Sequence, residues 1–239
     1  MVPTTGVETM TTENVTVVVA GDPGLGDPLR APEFTGVHVI DHVPTGNEAA
    51  ARVLQDLPDV LFLDTRIEEP DARAVCRRLR EWAPATKVLA ATRLDDENAY
   101  TTVVAGAFGA VFLDDHDETV ARAIRDVSRG EASLQARMAL RLLHDIDAWT
   151  QRSADPLYPP PTLTATEREV LGRIGEGVDS AASHSVTAHL VNLHAGFAVA
   201  KLHRYVHGAE RSAAFGRRRC PRARALPMRS WTLIRRVGR

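Results

Sequence analysis

The sequence predicts a doubly wound, flavodoxin-like α/β domain with a parallel five-stranded sheet, followed by a small all-α domain. Five short apolar runs rich in β-branched residues begin near residues 15, 37, 60, 87 and 110, and helical patterns separate most of them. Strands that alternate with helices are typical of a parallel sheet with helices on both faces. The proline-rich segment 155–161 then separates this domain from a smaller helical one.

The first strand covers residues 15–20 and ends at Gly21-Asp22-Pro23-Gly24, a chain-breaking sequence. The segment that follows contains Pro28 and Pro32, so we expect no full helix before the second strand at 37–40. Thr45 and Glu48 have capping-box spacing and predict the start of a helix. Its predicted inner face comprises Ala49, Ala50, Val53, Leu54 and Leu57.

The third strand, residues 60–63, ends at Asp64, and Pro70 opens a helix that reaches about Ala83. The fourth strand, 87–91, ends at Thr92 and precedes a helix over 95–105. A fifth strand is predicted at 110–113, and a helix that includes residues 120–127 follows it. A further helical stretch is predicted at 132–149. Core positions predicted in these helices are Val75, Leu79, Trp82, Val120, Ile124 and Val127.

Three polar residues, Asp22, Asp64 and Thr92, come at the carboxyl ends of predicted strands. In parallel sheets these ends lie at one edge, where binding and catalytic groups collect. We therefore expect the three side chains to meet there.

Composition excludes several classes of protein. The chain has 239 residues, of which 44% are apolar, so it is long and apolar enough to bury a core. It has no apolar run of about 18 residues and no secretory pattern at its start, so we expect a cytoplasmic protein. Two cysteines exclude a disulfide framework, and no nucleophile or nucleotide-binding motif marks an enzyme.

The charge is divided unevenly along the chain. Residues 201–239 carry Lys201 and eleven arginines against one acid, whereas the first 200 residues carry 17 bases against 30 acids. A basic end of this kind favours a polyanionic partner such as DNA, and a solvated tail is the alternative.

The first domain resembles the receiver domain of two-component response regulators. The resemblance lies in VTVVVAGD, PDVLFLDTRIEEPDA (58–72), KVLAAT (87–92) and GAFGAVFLDD (106–115). It implies that Asp64 is the phosphoacceptor and that Asp22 and Asp64 are what remains of a magnesium site. Because this site is degraded, we expect no resident cofactor. Thr92 matches the family's switch hydroxyl. The pattern is degenerate, because Gly21 replaces one carboxylate, Leu113 the family's lysine and Ala110 its aromatic residue.

The second domain resembles the helix-turn-helix of the NarL/FixJ (LuxR-type) regulators, through LTATEREVLGRIGEG (163–177). Its Thr164 and Glu167 form a capping box. Segment 185–203 corresponds to the family's recognition helix, although the connection 178–184 is about three residues short of the family's pattern. The resemblance implies that Thr187 caps this helix. The expected DNA-contacting residues are Thr187, His189, Asn192, His194 and Lys201.

These observations divide the chain into five segments. They are a disordered tail (1–13), a receiver-like domain (14–130), a linker helix with a proline-rich linker (131–162), the helix-turn-helix domain (163–215) and an arginine-rich tail (216–239). We expect a homodimeric, DNA-binding transcriptional regulator that is not switched by phosphorylation in the conventional way. A histidine kinase or a related regulator are further candidate partners. Phosphorylation at Asp64, ligand sensing and protein interaction without DNA binding remain alternatives.

Overall fold

A computed structural model describes residues 14–27, 29, 31–93, 97–152, 159–177 and 186–219. Five parallel strands form one sheet in the order β2-β1-β3-β4-β5. This arrangement confirms the predicted five-stranded flavodoxin-like fold. The predicted tail 1–13, the short connection 178–184 and most of the arginine-rich tail lie outside the described residues. The strands are β1 (Val15–Ala20), β2 (Val37–Val43), β3 (Val60–Asp64), β4 (Lys87–Thr92) and β5 (Gly109–Phe112).

Four helices connect or follow these strands. As expected from its prolines, the β1–β2 connection has two short 3-10 turns, Pro23–Gly26 and Pro32–Phe34, among its described residues. The hydroxyl of Thr45 caps the first helix by accepting a hydrogen bond from the Glu48 amide at 3.3 Å. The helices are α1 (Gly46–Asp56), α2 (Ala72–Trp82), α3 (Glu97–Ala105) and α4 (Asp117–Ser128).

The two faces of the sheet bury separate apolar layers. Leu61 and Leu63 of β3 face the layer that contains α1 and α2, whereas Phe62 faces the layer that contains α4. This alternation follows from the two-residue period of a strand. It explains why the strand sequences are apolar throughout rather than alternating.

Three predicted core positions are wrong: Leu54, Leu57 and Trp82 are exposed. Leu54 follows the buried Val53 by one residue, and this step turns it away from the core on a helix. Leu57 lies beyond the end of α1 in a left-handed conformation (φ 47°). Trp82, at the last turn of α2, lies under the guanidinium of Arg78 instead, 5.3 Å from the ring centroid.

Among the described residues, three further helices follow the receiver-like domain: α5 (Ala136–Arg152), α6 (Ala165–Gly175) and α7 (Val186–Arg219). The capping box at the start of α6 is present in both directions between Thr164 and Glu167. Helix α7 is 34 residues long and includes the whole described part of the predicted recognition helix. Thr187, the predicted cap, therefore lies within the helix, and the predicted boundary at residue 215 falls inside it.

The C-terminal helices pack against the receiver-like domain. Leu202 of α7, Leu171 of α6 and Val103 of α3 are fully buried and belong to one continuous apolar cluster. Within the part of the chain that the structure describes, no helix is both long and apolar enough to cross a membrane.

Candidate functional site: the acidic pocket and the docked helix

The acidic pocket is the group of side chains at the carboxyl ends of β1, β3 and β4. Asp22 follows β1, while Asp64 and Thr92 are the last residues of β3 and β4. Asp64 and Thr92 are each only 2% exposed, whereas the Asp22 side chain is largely exposed. The strands that carry them are neighbours in the sheet, so the topology collects these residues at one edge.

A residue that the sequence analysis did not single out, Arg66, connects the two carboxylates. Its Nη2 donates to Asp22 Oδ2 at 2.8 Å and to Asp64 Oδ2 at 3.2 Å. Its backbone amide and its Nε donate to Asp64 Oδ1, at 2.8 and 3.4 Å. Hydrogen bonding to Asp64 and the charge of this carboxylate raise the pKa of Arg66. Both oxygens of the candidate phosphoacceptor are thus bonded within the chain.

A second guanidinium lies close to the pocket. Arg93 Nη2 is 3.8 Å from Asp22 Oδ2, so Asp22 faces two arginines. Two carboxylates and two guanidiniums balance in formal charge. A divalent cation would raise the charge of a pocket that is already neutralised.

The backbone at Gly21 leaves no room for the second carboxylate that the receiver pattern has after β1. Its φ of +145° is a conformation that residues with a Cβ rarely adopt, and a Cβ there would lie 2.5 Å from the Cβ of Asp64. The backbone just after β1 therefore passes too close to Asp64 to carry a side chain at this position.

The residues present do not fit the magnesium ion that the receiver resemblance implies. Magnesium prefers octahedral coordination by oxygen ligands, and here a guanidinium bridges the two carboxylates that would supply them. In place of the family's lysine, Leu113 offers an apolar side chain, and its amide donates to the Thr92 carbonyl at 2.7 Å. Among the described residues, no group of three or more histidine, cysteine or acidic side chains is arranged to hold a metal.

The expected DNA-contacting residues do not form one exposed surface. Asn192 is only 8% exposed, and its Nδ2 donates to Asp126 Oδ2 of α4 at 3.1 Å. The backbone carbonyl of Asn192 accepts a hydrogen bond from the backbone amide of Ala132 at 2.9 Å. In this conformation Asn192 is turned toward the receiver-like domain, because this side of α7 lies against that domain. Its contact with DNA stays a prediction.

Asn192 belongs to a buried polar cluster at the end of α4. Arg129 donates to Asp126 at 2.6 Å and to Glu131 at 2.7 Å, and His189 Nδ1 lies 2.9 Å from Glu131. Burial, and then the neighbouring Glu131, raise the pKa of Asp126. Two buried carboxylates thus connect the receiver-like domain to the start of α7.

The other expected contacts have different surroundings. Lys201 Nζ donates to Glu167 Oε2 at 2.7 Å and to the Thr162 carbonyl at 3.2 Å, so its charge is paired within the second domain. His194 is half-buried and lies edge-on to the exposed Phe197 ring. The side chain of Thr187 lies outside the described residues.

Two histidines in the middle of α7, His203 and His207, form hydrogen bonds with the receiver-like domain. The sequence did not predict these contacts. The buried His203 donates from Nε2 to the Val103 carbonyl at 2.8 Å, and Arg80 donates to the His207 ring at 3.2 Å. Burial lowers the pKa of His203 to about 4. The partners of His203 and His207 are at least 100 residues away in the chain, and no local pattern in the sequence indicates them.

A five-stranded sheet with an aspartate at the end of its third strand, joined to a capped helical domain, defines the response-regulator class. No protein-family model matches the chain. The DNA-binding transcriptional activator DevR/DosR of Mycobacterium tuberculosis H37Rv is 34% identical over 157 residues, which are 65% of this chain and 69% of that protein. The transcriptional regulatory protein NarL of the same strain is 31% identical over 169 residues, covering 69% and 76%. The chain therefore belongs to the LuxR-type response regulators, a family of transcriptional regulators.

Two solved structures are similar to parts of the chain. The receiver domain of NarL from M. tuberculosis is 27% identical and covers 49% of this chain and 98% of its own, with a TM-score of 0.45. The response regulator ChrA of a heme-sensing two-component system is 21% identical and covers 84% and 98%, with a TM-score of 0.46.

Proposed function

We propose that this protein is a cytoplasmic, DNA-binding transcriptional regulator that acts as a homodimer and is not switched by phosphorylation of Asp64. Membership of the LuxR-type response regulators supports the regulatory role. The hydrogen bonds between Arg66 and Asp64 support the proposal that phosphorylation of Asp64 does not switch the protein. A histidine kinase is then not required for activation, although one remains a candidate partner.

The chemistry of phosphoryl transfer explains why the bonded state of Asp64 matters. An acceptor carboxylate must present a free oxygen, and cations must neutralise the charge that builds up on the transferred group. Here both oxygens of Asp64 accept hydrogen bonds from Arg66, and only 2% of the residue is exposed. Leu113 supplies no positive charge.

DNA binding requires helix α7 to leave the receiver-like domain or to bind DNA through its other face. In the docked conformation Asn192 bonds Asp126, and Lys201 bonds Glu167. Once released, Asn192 can pair with an adenine edge in the major groove, and cationic groups of the C-terminal segment can contact phosphates. The proposed regulated step is therefore the release of α7.

The first test is phosphorylation by acetyl phosphate. The full chain is incubated with the phosphodonor and magnesium and then measured by intact-mass spectrometry, with Asp64→Asn and a conventional receiver domain as controls. We expect a phosphoryl adduct on the conventional receiver and none on this chain. An adduct that Asp64→Asn abolishes would show that the protein is an ordinary phosphorylation-switched regulator.

The second test is selection of genomic DNA fragments by the purified protein at near-physiological salt. A dimer should enrich an inverted repeat whose half-sites lie about one helical turn apart. If no sequence is enriched and binding disappears as salt rises, the basic end of the chain binds DNA without specificity, and the proposal fails.

One observation favours a second candidate function, interaction with another protein without DNA binding. Leu190 and Phe197 are seven residues apart on α7, and both are about half exposed. Exposed apolar side chains on one helix face are more typical of a protein interface than of a phosphate-contacting surface. Co-purification of a related regulator, together with no affinity for any DNA, would support this candidate.

A further inference from the structure

We infer that the guanidinium of Arg66 is the resident cation of the acidic pocket and takes the place of a divalent metal between Asp22 and Asp64. This inference deepens the proposed function and rests on it, because it gives a physical reason why Asp64 is not switched. Arg66 is a positioning residue in this scheme. It fixes the two carboxylates and keeps the pocket in one state.

The geometry of the bridge carries the inference. A single nitrogen, Nη2, lies 2.8 Å from Asp22 Oδ2 and 3.2 Å from Asp64 Oδ2. A metal held by the same two oxygens would need to lie within about 2.1 Å of each, in the space that this nitrogen fills. The guanidinium and a metal therefore exclude each other.

The position of Arg66 in the chain makes its side chain a strong competitor. It follows Asp64 by two residues, and its backbone amide already donates to Asp64 Oδ1 at 2.8 Å. The side chain is thus held beside the pocket at high effective concentration, whereas a metal ion must come from solution. The planar guanidinium of Arg66 also presents several N–H donors in a geometry that fits carboxylate oxygens, which a spherical ion does not.

The surroundings of the pocket favour the same cation. Gly21 leaves a competing divalent ion with one carboxylate fewer, because a Cβ there would lie 2.5 Å from the Cβ of Asp64. Arg93, 3.8 Å from Asp22, completes the charge balance. One nearly sealed carboxylate and one exposed carboxylate thus face two arginines, and a divalent ion would add repulsion.

The test measures metal binding by the full-length protein directly, with Mn²⁺ as the probe in electron paramagnetic resonance titrations. Thermal unfolding with and without Mg²⁺ gives a second readout. The variant is Arg66→Met, which keeps an unbranched apolar stem without the charge. The matched control is Arg73→Met, because Arg73 also pairs with a nearby aspartate, Asp71, at 2.9 Å, but outside the pocket and with both side chains half-exposed.

We expect no saturable Mn²⁺ binding and no Mg²⁺-dependent shift in Tm for the wild type or for Arg73→Met. Arg66→Met alone should gain saturable Mn²⁺ binding, at least about tenfold tighter than the weakest binding that the titration detects, since removing one positive charge exposes two carboxylates to the ion. Mg²⁺ should raise the Tm of this variant alone. Equal Mn²⁺ binding by Arg66→Met and Arg73→Met, or saturable binding by the wild type, would overturn the inference.

A second variant covers the case in which Arg66→Met does not fold. Asp64→Asn should lower the Tm of the wild type, because the carboxylate loses its bonds to a guanidinium. If the pocket instead held carboxylates without an internal cation, the same substitution would relieve their repulsion and raise the Tm, which would contradict the inference.

The metal and phosphorylation experiments separate this inference from the proposed function. Phosphorylation of Asp64 without Mn²⁺ binding by the wild type would refute only the proposed lack of phosphorylation. Mn²⁺ binding by the wild type without phosphorylation would refute only the role of Arg66.

Discussion

Replacing Gly196 by alanine should release helix α7 from the receiver-like domain. Gly196 is buried where α7 crosses the segment after α4, and a Cβ there would lie 2.3 Å from the carbonyl oxygen of Gly130. This distance is more than an ångström shorter than an ordinary contact, and the obstacle is backbone rather than a flexible side chain. The helix must therefore shift, and the nearby bond between Asn192 and Asp126 lengthens with it.

The magnitude follows from two effects that both weaken the docking of α7. Overpacking of a tight contact costs about 1–3 kcal/mol. The lost bond to the buried Asp126 carboxylate adds about 1.5–3 kcal/mol. Alanine in a helix interior is favoured over glycine by about 1 kcal/mol, but this gain applies equally to docked and released α7. We therefore expect docking of α7 to weaken by about 2.5 kcal/mol or more, which corresponds to roughly 70-fold faster amide exchange through the open state.

The assay is hydrogen–deuterium exchange of the peptides that cover α7, with Gly172→Ala as the matched control. Gly172 lies in α6, and a Cβ there would meet nothing within 4 Å. This control gains the same helix propensity without a collision, so its exchange should stay the same or slow down. If Gly196→Ala exchanges as slowly as Gly172→Ala, α7 is not docked as the structure shows, and the argument for its release as the regulated step fails.

Two further predictions concern the same helix. The first adds Asn192→Ala to the Gly196→Ala variant and measures DNA affinity by binding titration. Affinity for the selected DNA site should fall more than affinity for random DNA, because an asparagine can pair with adenine. Equal losses would exclude Asn192 from base reading. The second concerns His203, because burial lowers its pKa from the usual 6.5 to about 4. Docking of α7 should have its full stability above pH 6.5, where the ring is neutral in both the docked and the released state. It should lose up to about 3 kcal/mol as pH falls toward 4, because the released ring binds a proton more readily than the docked one. Exchange of α7 measured across this range should accelerate in acid for the wild type and much less for His203→Gln; the same acid response in both would exclude His203 as its cause.

Local patterns predicted the elements because their causes are local. Each apolar β-branched run became a strand, and Thr45 and Thr164 began helices because a side-chain cap acts within one turn. The convergence of Asp22, Asp64 and Thr92 was also predictable, since a parallel sheet brings the carboxyl ends of its strands to one edge. The exposed Leu57 shows the limit of this approach: helical periodicity placed it on the inner face, but the helix ended one residue earlier.

The sequence by itself determined the α/β architecture, the class of protein and the degenerate composition of the acidic pocket. Only the tertiary structure decided what fills that pocket and what α7 contacts. Arg66 was one arginine among many until the loop after β3 directed its side chain between two carboxylates from different strands. The position of Asn192 in its helix predicted an exposed side chain that reads DNA bases. In the structure this side chain is bonded to Asp126, which lies 66 residues earlier in the chain. Periodicity records which face of a helix is buried, but the identity of a distant partner depends on how whole elements pack, and no local pattern carries that information.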